Sequence, residues 1–189
     1  MGHTSTVRLV LDRCEVRSWR RADAPALARH GDNREIWLNL RDRFPHPYTL
    51  ADAHAFLDLV EAQRPETAFA IAVGDEAVGG IGVTLGADVE RTSAEIGYWL
   101  GEAVWGRGIA SAAVRALSEH AFAAYGLTRL FAVPYARNAA SARVLEKAGY
   151  VLEGRLRRSA IKDGVVLDQL LYALVGGMGG HVGAPHVFQ

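Results

Sequence analysis

The sequence predicts an α+β fold on a mixed β-sheet, with a βαβ unit in its second half. Three observations carry the prediction. Apolar, partly β-branched runs at 68–73, 77–85 and 92–100 are separated by Gly74-Asp75 and Gly86-Ala87-Asp88, spacings that suit antiparallel hairpins. The period then lengthens: residues 107–125 carry a helical stripe at Ile109, Ala113, Ala116, Leu117, His120 and Ala121. A strand at 129–134 and a helix at 138–148 follow directly.

The remaining elements follow in chain order. Residues 7–20 read as one or two short strands, with Val7, Leu9 and Leu11 alternating against polar neighbours. Residues 22–30 and 33–40 read as helices. Phe44-Pro45-His46-Pro47 breaks that pattern, because proline fixes φ and lacks an N–H. Thr49 caps a helix running to about residue 64, and Asp52 completes an approximate capping box. Gly149 ends the 138–148 helix from a C′ position. Strands at 150–161 and 165–175 close the fold around Lys162-Asp163-Gly164. Residues 1–175 are expected to form one domain, and the glycine-rich residues 176–189 a loosely held tail.

Bulk properties narrow the function classes. The 21 basic and 21 acidic residues cancel, so no overall field draws the chain to nucleic acid or an anionic membrane. Its apolar runs fall short of the ~20 residues of a membrane span. The N-terminus has no apolar secretion core, and the single cysteine, Cys14, cannot form an internal disulfide. A cytoplasmic location is expected.

The most informative segment is Tyr98-Trp99-Leu100-Gly101-Glu102-Ala103-Val104-Trp105-Gly106-Arg107-Gly108-Ile109-Ala110-Ser111. It sets glycines between a strand and an amphipathic helix. Unpaired N–H groups and the dipole at a helix start favour an anion, and glycines let phosphate oxygens reach the backbone. Arg107 adds a candidate charge-assisted contact. A Walker loop needs Gly-Lys-Ser/Thr, which is absent here. The dinucleotide fingerprint fits only as Gly106-x-Gly108-x-x-Ser111 and lacks the immediate strand-to-glycine junction. Alone, these glycines read equally well as a plain turn. A second element follows one helix and one strand later, where Asn138 and Ser141 share the first turn of a helix. Asn138 alone reads as an N-cap; the two elements together point to a ligand site.

These segments resemble the GNAT acetyltransferases, within them the branch of the ribosomal-protein N-terminal acetyltransferases. The resemblance is carried by Glu95-Ile96-Gly97-Tyr98-Trp99-Leu100, by Trp105-Gly106-Arg107-Gly108-Ile109-Ala110, by Asn138-x-x-Ser141 with Leu145-Glu146-Lys147-Ala148-Gly149-Tyr150, and by Asp168-Gln169-Leu170-Leu171-Tyr172. It covers roughly residues 14–175 and implies a mostly antiparallel sheet of about seven strands, splayed between the fourth and fifth. It implies acetyl-coenzyme A as acyl donor and no metal. Backbone groups of Tyr98, Trp99 and Leu100 would meet the pantetheine, and Trp105, Gly106, Arg107, Gly108, Ile109, Ala110 and Ser111 would cradle the phosphates. Asn138 would bond the pantetheine arm, with Ser141 near the sulfur. The acceptor would be an amine, on a protein N-terminus or on a small molecule such as a polyamine, amino acid or aminoglycoside. A homodimer is plausible from the family alone.

Two departures bear on catalysis. Many members place a general-acid tyrosine where this chain has Leu145, which leaves Ser141 as the nearest candidate acid. Some relatives use a glutamate base at the position of Ala160; here Glu95 falls at the spacing of the histone-type base. Glu95 reads either as that base, in an apolar strand, or as an ion-paired edge carboxylate. Backbone N–H groups of the splayed strand would polarise the thioester carbonyl. The competing reading is a non-catalytic coenzyme-A-binding module. Cys14 reads as a buried, inert thiol rather than a nucleophile. His46 and His54 are too far apart for one face of metal ligands. Arg155, Arg157, Arg158 and Lys162 read as a solvated basic face, and residues 44–48 as either an acceptor wall or a packing loop.

Overall fold

A computed structural model describes residues 6–176; the expected tail from Gly177 onward and the first five residues lie outside that range. Eight strands form one sheet in the order β1-β2-β3-β4-β5-β6-β8-β7. They are β1 (Arg8–Val10), β2 (Glu15–Ser18), β3 (Ala68–Val73), β4 (Glu76–Leu85), β5 (Ser93–Leu100), β6 (Arg129–Ala132), β7 (Val151–Lys162) and β8 (Val165–Val175). Every neighbouring pair is antiparallel except β5–β6, which is parallel. The count is eight because residues 7–20 form two strands, turned where Leu11 N–H donates to Cys14 C=O. The parallel pair, and the opening beside it, therefore fall between the fifth and sixth strands.

The helices are α1 (Ala24–Gly31), α2 (Arg34–Trp37), α3 (Leu50–Ala62), α4 (Ile109–Tyr125) and α5 (Ala139–Lys147). The capping box expected at Thr49 and Asp52 is formed. α2 is shorter than the 33–40 expected from sequence. Beyond Trp37 the ladder tightens into a turn, Asn39 N–H donating to Ile36 C=O and Leu40 N–H to Trp37 C=O; the Leu38 and Leu40 carbonyls left free accept from Arg137 Nη2 at 2.6 Å and Tyr135 Oη at 3.4 Å.

Strand alternation in β5 organises the molecule. Ala94, Ile96 and Leu100 are buried on one face, where α4 and α5 complete the larger core with Ala113, Leu117, Leu130, Leu145 and Tyr172. Glu95, Gly97 and Trp99 point to the opposite face. There Trp99 packs against a smaller cluster of Leu27, Tyr48, Ala53 and Leu57 from α1, α3 and the loop between α2 and α3. Trp99 also explains a glycine in β4: a Cβ on Gly80 would sit 2.7 Å from the indole nitrogen. Beneath this face, Arg17 is clamped to Asp23 by two 2.8 Å bonds, both side chains buried.

Candidate active site

The opening in the sheet follows from hydrogen-bond parity. β5 pairs with β6 only over Ser93–Glu95, ending at Glu95 opposite Phe131. Gly86 N–H donates to Ser93 C=O, and Gly101 N–H to Val78 C=O, so the odd residues of β5 aim their backbone at β4. Thr92 C=O accepts from Thr128 N–H on the other side, so even residues face β6. Past the Glu95–Phe131 pair, the Ile96 carbonyl and the main-chain groups of Tyr98 thus face a gap where no strand pairs with them. Leu100 C=O is the exception, because the Trp105 indole N–H donates to it at 2.7 Å. Such an edge accepts an extended amide-bearing ligand as a strand would. Trp99 stands elsewhere than expected: its backbone belongs to the β4 ladder and its ring to the α1/α3 face.

The glycine loop lies at the end of this edge. Gly106 and Gly108 have φ of 75° and 77°, and a Cβ on either would meet nothing within 4 Å; backbone conformation, not crowding, selects glycine there. Trp105, Gly106, Arg107 and Gly108 are exposed, whereas Ile109 is buried as the first anchor of α4. Ala110 and Ser111 are half-buried in its first turn. α4 begins at Gly108 without any side-chain cap, while α2, α3 and α5 are capped by Asn33, Thr49 and Asn138. A 17-residue helix thus presents free N–H groups and its positive end beside exposed glycines, a site suited to phosphate. Arg107 leans back on Ala103 C=O at 3.3 Å, and Arg13 donates to Arg107 C=O at 3.0 Å. Arg13 is a cation at the loop that no local pattern announced.

Across the gap, Asn138 Oδ1 accepts from Ser141 N–H at 3.0 Å as the α5 cap. The Tyr98 hydroxyl reaches over to Ser141, 2.8 Å from its Oγ and 3.2 Å from its C=O. Burial pushes the Tyr98 phenol well above its ordinary pKa, so it stays a neutral donor. Leu145 is fully buried in the larger core. Ala160 lies on β7 opposite Leu167.

On the other face, Glu95 is ion-paired with Arg41; the side chains are 23% and 56% exposed. Of the two settings the sequence left open for Glu95, the ion pair is the one formed, with the α2–α3 loop supplying the cation. Between Glu95 and Trp99 lies Gly97, exposed, with no atom within 4 Å of where its Cβ would be. The result is a hollow floored by Gly97 and walled by Glu95–Arg41 and by Trp99, against which Phe44 packs edge-on at 5.6 Å. The packing role open to residues 44–48 is the one observed, since Phe44 and Tyr48 also meet at 4.6 Å within the smaller cluster. Lys162 is not part of a solvated face: its side chain is wholly buried against Trp37, 3.9 Å from the ring centroid, and bonded to Asp42 at 2.7 Å. Cys14 is buried, and desolvation raises its thiol pKa, as fits an inert residue. Among the described residues no three His, Cys, Asp or Glu side chains converge as metal ligands, and no helix is long and apolar enough to cross a membrane.

A sheet parted beside one parallel pair, with an uncapped helix start at the end of the gap, belongs to the class of acyltransferases that admit a thioester cosubstrate edge-on. The chain is a member of the GNAT acetyltransferase family: the profile of the acetyltransferase (GNAT) domain matches residues 13–151. It is thus an N-acetyltransferase with acetyl-coenzyme A as acyl donor. The chain is 27% identical to the uncharacterized N-acetyltransferase p20 of Bacillus licheniformis over 175 residues, 88% of this chain and 95% of that one. It is 36% identical to the ribosomal-protein-serine acetyltransferase of Escherichia coli (strain K12) over 108 residues, 57% of this chain and 59% of that one. The structure of Mycobacterium smegmatis RimJ in complex with CoA-disulfide superposes with a TM-score of 0.78 at 27% identity, over 90% of this chain and 86% of that one. The likeness to the ribosomal-protein branch is therefore present in both sequence and fold.

Proposed function

We propose that the chain, through one domain spanning residues 1–175, acetylates the α-amine of a protein N-terminus by direct attack in a ternary complex. The observation that carries this reading is the placement of Glu95 and Ser141 on opposite faces of the open β5 edge. An acceptor entering over Gly97 meets Glu95, while the donor lies along Ile96 and Tyr98 with its phosphates at Gly106, Arg107, Gly108 and the α4 start. Acetyl-coenzyme A supplies a carbonyl open to attack and a thiolate leaving group. The amine nitrogen bonds the acetyl carbon as the C–S bond breaks; Glu95 takes a proton from the amine, and Ser141, backed by Tyr98, gives one to the sulfur. An α-amine, with a pKa near ~7.7–8.0 against ~10.4 for lysine, is already partly neutral at pH 7 and asks less of its base. The likeness to a ribosomal-protein-serine acetyltransferase supports the same acceptor class. The two groups flanking the edge also favour catalysis over a coenzyme A sensor.

The test is thiol release from acetyl-coenzyme A over peptides with free N-termini, polyamines, amino acids and aminoglycosides. Turnover on peptides that drops about a hundredfold in Glu95→Gln, with coenzyme A binding retained, is expected. Turnover confined to polyamines or aminoglycosides would move the acceptor class to small amines. The exposed apolar side chains of Leu152, Ile161, Val165 and Val166 on the β7–β8 hairpin support the homodimer expected from the family. Its check is the molecular mass in solution.

A further inference from the structure

We infer that the acceptor carries a carboxylate close to its amine, and that Arg41 is the residue that reads it. The inference rests on the acetyl-transfer reading of this site and deepens it. Glu95, the candidate base, does not stand free: Arg41 occupies it. An acceptor ammonium that approaches Glu95 must displace that guanidinium. A simple cation would leave Arg41 facing a second positive charge, with the exposed Arg43 two residues away. A zwitterionic acceptor replaces both partners in one exchange, its ammonium on Glu95 and its carboxylate on Arg41. Arg41 is the right donor for this, because its planar fork matches a carboxylate. More than half of its side chain is exposed, and pairs so exposed are readily exchanged.

Arg41 is also held in place for the task. Its neighbour Asp42 bonds the buried Lys162 at 2.7 Å, and Lys162 is wedged against Trp37. Arg137 and Tyr135 hold the carbonyls of Leu38 and Leu40, and Arg34 pairs with Asp163 at 2.8 Å on the β7–β8 turn. Residues 34–42 thus form a strap tied to β5 on one side of the gap and to β7 on the other. Asp42, the strap's own carboxylate beside Arg41, is committed to Lys162. Gly97, two residues along from the Glu95 that Arg41 holds, leaves its Cβ position open on the same face of the strand.

Two pairs of matched acceptors test this and separate the sources of the carboxylate. One pair is C-terminally amidated peptides beginning alanyl-aspartyl and alanyl-asparaginyl; the other is free alanine and alaninamide. We expect the acidic member of at least one pair to be preferred about tenfold in kcat/KM, the scale of one charge-assisted hydrogen bond. The preference should vanish in Arg41→Gln and invert in Arg41→Glu. A preference in the peptide pair identifies an acidic N-terminus, and one in the amino-acid pair a small zwitterion. Calorimetry of the same compounds on the coenzyme-A-loaded protein reads recognition without turnover. Equal kcat/KM within both pairs, or a preference that survives Arg41→Gln, overturns the inference and leaves acetyl transfer standing. An Arg41-dependent binding preference without turnover on any acceptor keeps the inference and sinks the catalytic reading. Absence of both binding and turnover overturns both.

Discussion

At the scale of single residues, Tyr98 works at two places at once. Its main chain faces the open edge, and its phenol crosses the gap to Ser141. Because burial keeps that phenol protonated, it orients the Ser141 hydroxyl as a neutral partner. Tyr98→Phe is expected to lower kcat by about tenfold, the worth of one hydrogen bond in a largely buried site, and to leave acetyl-coenzyme A affinity within a few-fold. Steady-state kinetics with both substrates varied will separate the two. Gly97 offers the opposite test. Its Cβ position is empty and its backbone ordinary for a strand, so Gly97→Val adds a β-branched strand former at no steric cost. Melting temperature should hold or rise, while the acceptor KM rises about tenfold or more because the hollow is filled. A variant of unchanged acceptor kinetics would place the acceptor elsewhere. Glu95 and Ser141 were legible as candidates in the sequence; the Tyr98 phenol and the emptiness above Gly97 were not.

At the scale of elements, two helix starts divide stability from binding. α3 is closed by the Thr49–Asp52 box, with Thr49 N–H donating to Asp52 Oδ2 at 2.8 Å and Asp52 N–H to Thr49 Oγ1 at 3.2 Å. The Thr49 hydroxyl and then the Thr49 N–H, both donating to Asp52 Oδ2, hold that carboxyl below its usual pKa. Thr49→Ala should cost about 1 kcal/mol in urea unfolding and leave coenzyme A affinity alone. α4 is left uncapped and starts from Gly108 at φ 77°. Gly108→Ala forces a Cβ into the left-handed region, costing about 1 kcal/mol, and places a methyl where phosphate oxygens approach. Coenzyme A affinity, measured by calorimetry, is expected to fall about tenfold or more. The contrast between the two variants is the check, since a general loss of stability would weaken both alike.

At the scale of the whole molecule, one sheet carries a larger core under α4 and α5 and a smaller one under α1 and α3, so the reaction edge is buttressed from both sides. Leu145 belongs to the larger core and is fully buried. Leu145→Ala should cost about 2–5 kcal/mol, the cost of a cavity in that core. Both cores also make the fold sensitive to alkali. Burial pushes Tyr48 and Tyr150 up to about 12 from 10.0. The folded state therefore keeps protons that the unfolded chain gives up. Their contribution is fully present below pH 10 and is lost as pH rises from 10 towards 12. Urea midpoints are expected to fall between pH 10 and 12, with a shallower fall in Tyr150→Phe; a flat profile would mean the phenols are more hydrated than their packing indicates.

The sequence by itself determined the β-meander, the βαβ unit, the capping box of α3 and the glycine loop, because each is written in neighbours a few residues apart. Periods of two and 3.6, a turn glycine and an N-cap act within one or two turns of chain, so their signals are readable without knowing the fold. What tertiary structure alone decided are the partners. Arg41 lies 54 residues from Glu95, Arg13 lies 94 from the carbonyl it bonds in the glycine loop, and Asp42 lies 120 from Lys162. No local pattern encodes those meetings; they exist because the sheet order brings β5, β6 and the β7–β8 hairpin around one gap and lays the 34–48 segment across it. The Leu38 and Leu40 carbonyls, free at the end of α2, likewise find their donors about a hundred residues on, in Arg137 and Tyr135.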